Sequence, residues 1–451
     1  MTIPRGLGPL LRLQIGAGDN KVDIGDGLVQ LVWSSFINSG YSVEATVTDN
    51  YYERLRQIAV NDYLSEARFN PVPITFSISW ASDKADLSTP KITAYITNLS
   101  ALGESSSGEL NFMAIDPPSF VLSHGDSFGG AYKGNISSVL KQVVEKYSKI
   151  AFQHTKQDPK PKIVVEVSET KDNKDGIWYQ MRQDPRTFIN SLLEWSSSLT
   201  KNKTNWVIAS GETIVEANDR KVAQPKLVIK EWSDLPNFDY SDPGNGFGHG
   251  PIDINTAGAD GGNDINFVEL LSDNHIGILQ SKLTTSGLSA VNGKYIDPNK
   301  ISKAVVDDST TANKVKPSGL SQERAFKKPE SEKPRLSQST TVPPVPELNG
   351  GEMGVDYEDW IDGRARGLFL GMLNSVMRIK VNVSGWHVIG DSTLLGASTV
   401  NLSWIGIDGN PYFLSGRWLL YGFRHIVTTD DWQTELYLAR IDWDALARKE
   451  I

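Results

Sequence analysis

Cysteine is absent from all 451 residues, so disulfides, thiolate nucleophiles and Cys-ligated zinc are excluded. Histidine is scarce. The six are His124, His154, His249, His275, His387 and His425; no two stand four apart and no H-E-x-x-H occurs, so a helical zinc site of the peptidase kind is excluded. No stretch approaches the ~18 consecutive apolar residues of a spanning helix, and no membrane anchor is expected. The opening residues, Met1 to Gly8, do not form a charged-then-apolar secretion signal. A basic excess is missing too. Lys and Arg number 45 against 54 Asp and Glu, a formal charge of −9 with the signs interspersed. That leaves no electrostatic footprint for nucleic acid, and no specific nucleic-acid partner is expected.

What is present is strand pattern. A chain of this length has room for about three domains, and its 39% hydrophobic content allows each a core. In residues 8–115 Leu11, Leu13 and Ile15 alternate, then Val29, Leu31 and Trp33, then Tyr41, Val43, Ala45 and Val47. A helix capped by Asp49 or Asn50 follows, with Tyr51, Leu55, Ile58 and Ala59 on one face. Further strands are predicted around Ile74–Trp80, Lys91–Asn98 and Glu109–Ile115. Six strands at this spacing fit a small barrel or sandwich.

Residues 120–225 change character. Leu140, Val143, Val144 and Tyr147 recur at helical spacing. Asp184 before Pro185 predicts an N-cap and first helical position, with Phe188, Leu192 and Trp195 on one face. A hairpin is predicted next, over Trp206–Ala209 and Thr213–Val215, turning at Ser210 and Gly211. Strand signals resume at Lys226–Ile229, Ile265–Leu271 and Ile276–Leu288. The glycine run between Gly244 and Gly262 lacks the phosphate-loop pattern and reads as an insertion. Asp253, Asp260 and Asp264 within it do not match a calcium loop.

Residues 297–350 are polar and Pro-rich and cannot bury enough apolar surface to fold alone. They are expected to lie against neighbouring chains. A helix over about Tyr357–Met377 has Trp360, Leu368, Met372 and Val376 on one face and Gly363, Gly367 and Gly371 on another stripe. After it the strands return. Trp418 to His425 and Trp432 to Arg440 form a hairpin about Thr428–Asp431. Leu419, Tyr421, Phe423 and Val427 share a face of the first, and Trp432, Thr434, Leu436 and Leu438 a face of the second.

No catalytic constellation emerges. Gly125, Ser127 and Gly129 match G-x-S-x-G, yet Gly130 and Gly134 follow where a nucleophile elbow needs a helix. Glu352, Asp356, Glu358 and Asp359 cluster at a helix start, where the dipole accounts for them. Asp184 is read as a cap and His425 as a hydrogen-bonded structural histidine.

The C-terminal order carries a resemblance. Gly385 and Trp386, Gly390 and Asp391, an alternating strand, Gly416, an aromatic strand with Tyr421 and His425, an acidic turn, then Thr434, Leu436, Leu438 and Arg440 follow one another. This is similar to the closing barrel of myovirus-type baseplate hub proteins of tailed phages, related to the hub part of contractile secretion-system spikes. The strand–helix–strand order of 8–115 resembles the barrel of tail-tube proteins. The resemblance implies a mainly β fold with an α/β segment: two tail-tube-like β-barrels in tandem, the second interrupted by insertions. Its boundaries would be 1–120 for the first barrel, 121–225 for the α/β hub domain, 226–296 with 355–451 for the second barrel, and 297–354 for the extended insertion.

It also implies a function. A homotrimer with two barrels per subunit would present a pseudo-six-fold ring, adapting a hexameric tail tube to a trimeric central spike. The implied partners are the chain itself, the tube protein, the spike and other baseplate (wedge) proteins. The place is the virion tail, after synthesis in the host cytoplasm. No enzyme activity, cofactor or metal is implied. The chain ends at Ile451 after charged Arg448 and Glu450, so no fused needle is expected. The rival reading is a β-rich tail-associated cell-wall-degrading enzyme or carbohydrate-binding module, which would need a convergent acid and base.

Overall fold

A computed structural model describes residues 9–16, 21–49, 53–58, 71–80, 91–104, 107–124, 129–153, 155, 160–170, 176–195, 206–217, 220–231, 252–255, 265–271, 291–296, 303–305, 338–341, 378–384, 399–403 and 414–440. The strands are β1 (Pro9–Ile15), β2 (Val22–Asp23), β3 (Leu28–Phe36), β4 (Gly40–Thr48), β5 (Pro73–Trp80), β6 (Ile92–Glu104), β7 (Ser107–Ile115), β8 (Gly130–Lys133), β9 (Val164–Val167), β10 (Ile177–Gln180), β11 (Trp206–Ala217), β12 (Arg220–Glu231), β13 (Ile252–Asn255), β14 (Ile265–Leu270), β15 (Val291–Ile296), β16 (Lys303–Val305), β17 (Gln338–Thr341), β18 (Arg378–Ser384), β19 (Thr399–Ser403), β20 (Gly416–Thr428) and β21 (Trp432–Arg440). The helices are α1 (Glu53–Ile58), α2 (Pro117–His124), α3 (Ile136–Ala151) and α4 (Pro185–Trp195).

The two strand-rich ends of the sequence meet in one sheet of 13 strands. Its N-terminal half runs β3-β4-β7-β6-β5-β1-β2 and its C-terminal half β20-β21-β18-β14, with β19 and then β13 branching from β20. An antiparallel pairing of β3 with β20, from Phe36 opposite Gly422 to Gln30 opposite Thr428, joins them. Among the described residues the sheet ends at β2, β14 and β13, and no pairing closes either half into a barrel. Period-2 alternation specifies a half-buried strand, not which strand lies beside it. One hydrophobic core runs under both halves, from Leu13, Phe76 and Leu110 to Ile379, Leu436 and Leu438. Each fully buried aliphatic side chain contributes about 1.5–3 kcal/mol.

Two bulges correct the predicted faces. A register shift between Leu28 and Gln30 turns Val29 outward, and Leu28 takes the inward place beside Leu31 and Trp33. A second shift, between Leu420 and Gly422, falls where β20 changes neighbours. Its first residues pair with β19 and its last with β3. The inward set is therefore Trp418, Leu420, Phe423 and Val427, while Tyr421 is half-buried on the opposite face. The inward set of β21 is the predicted one: Trp432, Thr434, Leu436 and Leu438 are all buried.

The α/β unit has its own core. Helix α3 opens on Asn135, whose side chain accepts the N–H of Ser138 at 3.1 Å, and it buries Leu140, Val143, Val144 and Tyr147. Helix α4 opens on Asp184, which accepts the Thr187 N–H at 2.9 Å and its hydroxyl at 2.6 Å. Phe188 and Leu192 join the same core. The predicted turn at Ser210 and Gly211 is not there. β11 runs straight through both, opposite Leu227 and Lys226, and the strands pair out to Ala217 opposite Arg220. Lys226–Ile229 lies in this unit's sheet, between β11 and the parallel strand β9, and not with the C-terminal strands.

The expectations on the helix over 357–377 and on Ile276–Leu288 fall outside the described residues, and of the glycine run 244–262 only β13 is described, paired parallel with β19. Nearly all of 297–350 lies outside them too. Its two described pieces, β16 and β17, pair with β15 of the same chain.

Candidate functional site

The β20–β21 hairpin places the motif residues. Its turn is held by the Thr428 N–H donating to the Asp431 carbonyl at 2.8 Å and the Asp431 N–H donating to Thr428 Oγ1 at 3.1 Å. The strands then pair Val427 with Trp432, His425 with Thr434, Phe423 with Leu436, Leu420 with Leu438 and Trp418 with Arg440. The expected residues Gly416, His425, Thr434, Leu436, Leu438 and Arg440 thus gather along one inward strip. Tyr421 does not. Gly385, Trp386, Gly390 and Asp391 lie outside the described residues.

The middle of the strip is His425, only 3% exposed. Its ring stacks on Trp33 of β3, with centroids 4.9 Å apart and planes 29° from parallel. Trp432 Nε1–H donates to Nδ1 at 3.2 Å, so Nδ1 carries no proton and the Thr434 hydroxyl, at 2.7 Å, donates to it as well. Burial among these rings pushes the pKa down to about 3. The imidazole is neutral, doubly hydrogen-bonded and shut off from solvent, a brace and not an acid–base group. Trp33 extends the contact across the seam. It meets Phe423, Phe76 and Tyr41 edge-on, with centroids at 5.2, 5.5 and 6.3 Å.

The end of the strip is Arg440, fully buried. Its guanidinium lies 5.0 Å from the Trp418 ring centre. Arg440 Nη1 and Trp418 Nε1 both donate to the Leu414 carbonyl, at 3.2 and 3.0 Å. Gly416 has φ +134°, and a Cβ there would come within 2.7 Å of Arg440 Nη2, so only glycine fits.

On the opposite face Tyr421 stacks under Arg378, 4.8 Å from its ring, and packs with Tyr437. Lys380 bridges Glu269 at 2.7 Å and Glu435 at 3.7 Å, and Arg424 reaches Glu435 at 3.8 Å. Lys380 and Glu435 are largely covered, while Glu269 and Arg424 reach solvent.

Asp184 caps a helix, and Ser127 and the acidic residues of 352–359 lie outside the described residues. Among the described residues no group of three or more His, Asp or Glu converges on a metal position. Sequence reasoning missed a second buried polar group: Tyr41, Asp116 and Glu212, where the α/β unit meets the large sheet. Glu212 stands beside Ser210 and Gly211, and that stretch reads as a turn until its partners are known.

No family model and no curated protein matches the sequence. Solved structures do match in fold. A tail protein from Neisseria meningitidis MC58 superposes with a TM-score of 0.51 at 12% identity, covering 96% of this chain and 99% of that one. The 43 kDa tail protein of prophage MuSo2 from Shewanella oneidensis covers 96% and 99%, with a TM-score of 0.47 at 11% identity. An Escherichia coli type VI secretion system component covers 91% and 73%, with a TM-score of 0.41 at 9% identity. This chain is similar in fold, nearly end to end, to a tail protein.

Proposed function

We propose that the chain is the structural baseplate hub of a phage tail, a homotrimer that adapts a six-fold tail tube to a three-fold central spike. The observation that carries this reading is the fold match to the Neisseria tail protein, which leaves almost nothing unaligned in either chain. The seam supports it. Two half-sheets joined edge to edge in one chain provide two units per subunit, so three copies supply a ring of six. Closed cyclic symmetry makes such interfaces self-terminating.

On this reading 1–120 forms one tube-like unit and the C-terminal strands the other. The α/β unit over 121–225, extended by β12, faces the next protein along the axis, and 297–354 reaches neighbouring chains. The partners are the chain itself, the tube protein, the spike and the wedge proteins, and the place of action is the virion tail. Its task is mechanical, without catalysis, in keeping with a histidine sealed in the core and an aspartate spent on a helix cap.

Native mass spectrometry of the purified chain, with symmetry analysis of the assembled particle, tests the proposal. Three copies per particle are expected. A single copy or six copies would sink it, as would peptidoglycan cleavage by the purified chain.

A further inference from the structure

The contact between the α/β unit and the large sheet is polar at its centre. β11 offers it three alternate residues. Asn38, in the β3–β4 turn with φ +67°, donates its N–H to the Ile208 carbonyl at 2.7 Å, and its side chain accepts the Ile208 N–H at 2.9 Å. Ser210 hydrogen-bonds Asp116. Glu212 Oε1 accepts the Thr93 N–H of β6 at 3.2 Å and lies 3.2 Å from the Tyr41 hydroxyl. Asp116, ahead of α2, accepts the N–H of Tyr41 at 2.9 Å and that of Ser119 at 2.8 Å. Packing leaves no slack: Gly40 has φ +76°, and a Cβ there would collide with Asp116 and Ser119 oxygens.

The Tyr41 hydroxyl has one proton, and both the Thr93 carbonyl, at 2.8 Å, and Glu212 Oε1, at 3.2 Å, stand within its reach. Protonating Glu212 would let it donate to the Tyr41 oxygen while Tyr41 donates to Thr93. Ionising Glu212 would instead place a second carboxylate charge beside Asp116. Among the described residues the titratable groups around it are Tyr41, with Tyr95 beyond it, and Asp116. On β12 the residue opposite is Pro225, and Lys226 and Lys230 bind Glu166 at 2.8 and 2.6 Å. Lys91, ahead of β6, is exposed beside Lys21. Burial first, then Asp116, pushes Glu212 up to about 8 against hydrogen bonds that lower it.

We propose that this cluster is a proton-operated latch: protonated Glu212 holds the β11–β12 hairpin, and the α/β unit with it, on the β3–β4 turn, and loss of the proton loosens that contact. The raised folded value means that the docked state holds a proton the opened state releases. Docking is therefore strongest below the ordinary carboxylate range and weakens as pH climbs towards 8, by about tenfold per unit.

Amide hydrogen exchange, corrected for intrinsic rates, reads this at the four N–H groups of Asn38, Tyr41, Thr93 and Ile208. Between pH 6 and 8 their protection is expected to fall about tenfold per unit, while that of Leu436 in β21 holds. Glu212→Gln, which keeps the shape of the neutral form, is expected to remain docked and to lose the dependence. Flat wild-type protection over this range overturns the latch even without the variant, and so does an unchanged slope in Glu212→Gln.

Discussion

Trp432 donates its indole N–H to Nδ1 of His425 across 3.2 Å, from one strand of the closing hairpin to the other. That bond decides the tautomer, and the Trp33 ring stacked on the same imidazole carries the brace into the N-terminal half of the sheet.

Acid should find this brace first. His425 has a folded pKa depressed to about 3, below its ordinary value near 6.5. The unfolded chain takes the proton in that window and the folded chain does not. The stabilising contribution is complete above 6.5 and fades as pH falls towards 3. His425→Phe removes the titration and both hydrogen bonds made to Nδ1, a loss of about 1–3 kcal/mol. Urea titrations at pH 7, 5.5 and 4.5 should show a less stable variant at pH 7 with a shallower decline below it. Parallel declines in variant and wild type would refute the assignment.

Trp33→Ala should cost about 3–5 kcal/mol, the usual range for deleting a large core aromatic. The informative readout is where the loss appears. Because Trp33 packs on both halves, exchange protection should drop in β4 and in β21 together. Loosening confined to β1–β7 would mean that the seam does not couple them.

Gly416→Ala combines a positive φ with a Cβ collision against the buried Arg440. A loss of about 2 kcal/mol or more is expected from strain and overpacking. Thermal melts decide it, and a change below about 0.5 kcal/mol would show that the Arg440 guanidinium shifts freely.

Asp184→Ala removes the α4 cap, with an expected loss of about 1 kcal/mol. Asp184→Asn, which still caps, should recover most of it. If both variants fall equally, the carboxylate has a role beyond capping.

Local pattern determined much of this protein. The strands of 9–48, 73–80 and 92–115, the two long helices with the Asp184 end of the second, and the hairpin closed by Thr428 and Asp431 follow from period, cap and turn chemistry, which act over a few residues. Tertiary structure decided the rest. Bulges at Val29 and Tyr421 arise where a strand changes or offsets its neighbours, and a neighbour distant in sequence leaves no trace in the alternation. Ser210 and Gly211 look like a turn until Leu227 and Lys226 stand opposite them. The pairing of Gln30–Phe36 with Gly422–Thr428 brings together residues nearly four hundred positions apart. The burial that keeps His425 neutral and favours a proton on Glu212 likewise exists only once the sheet has folded, because desolvation belongs to the assembled surroundings of a group and not to its place in the chain.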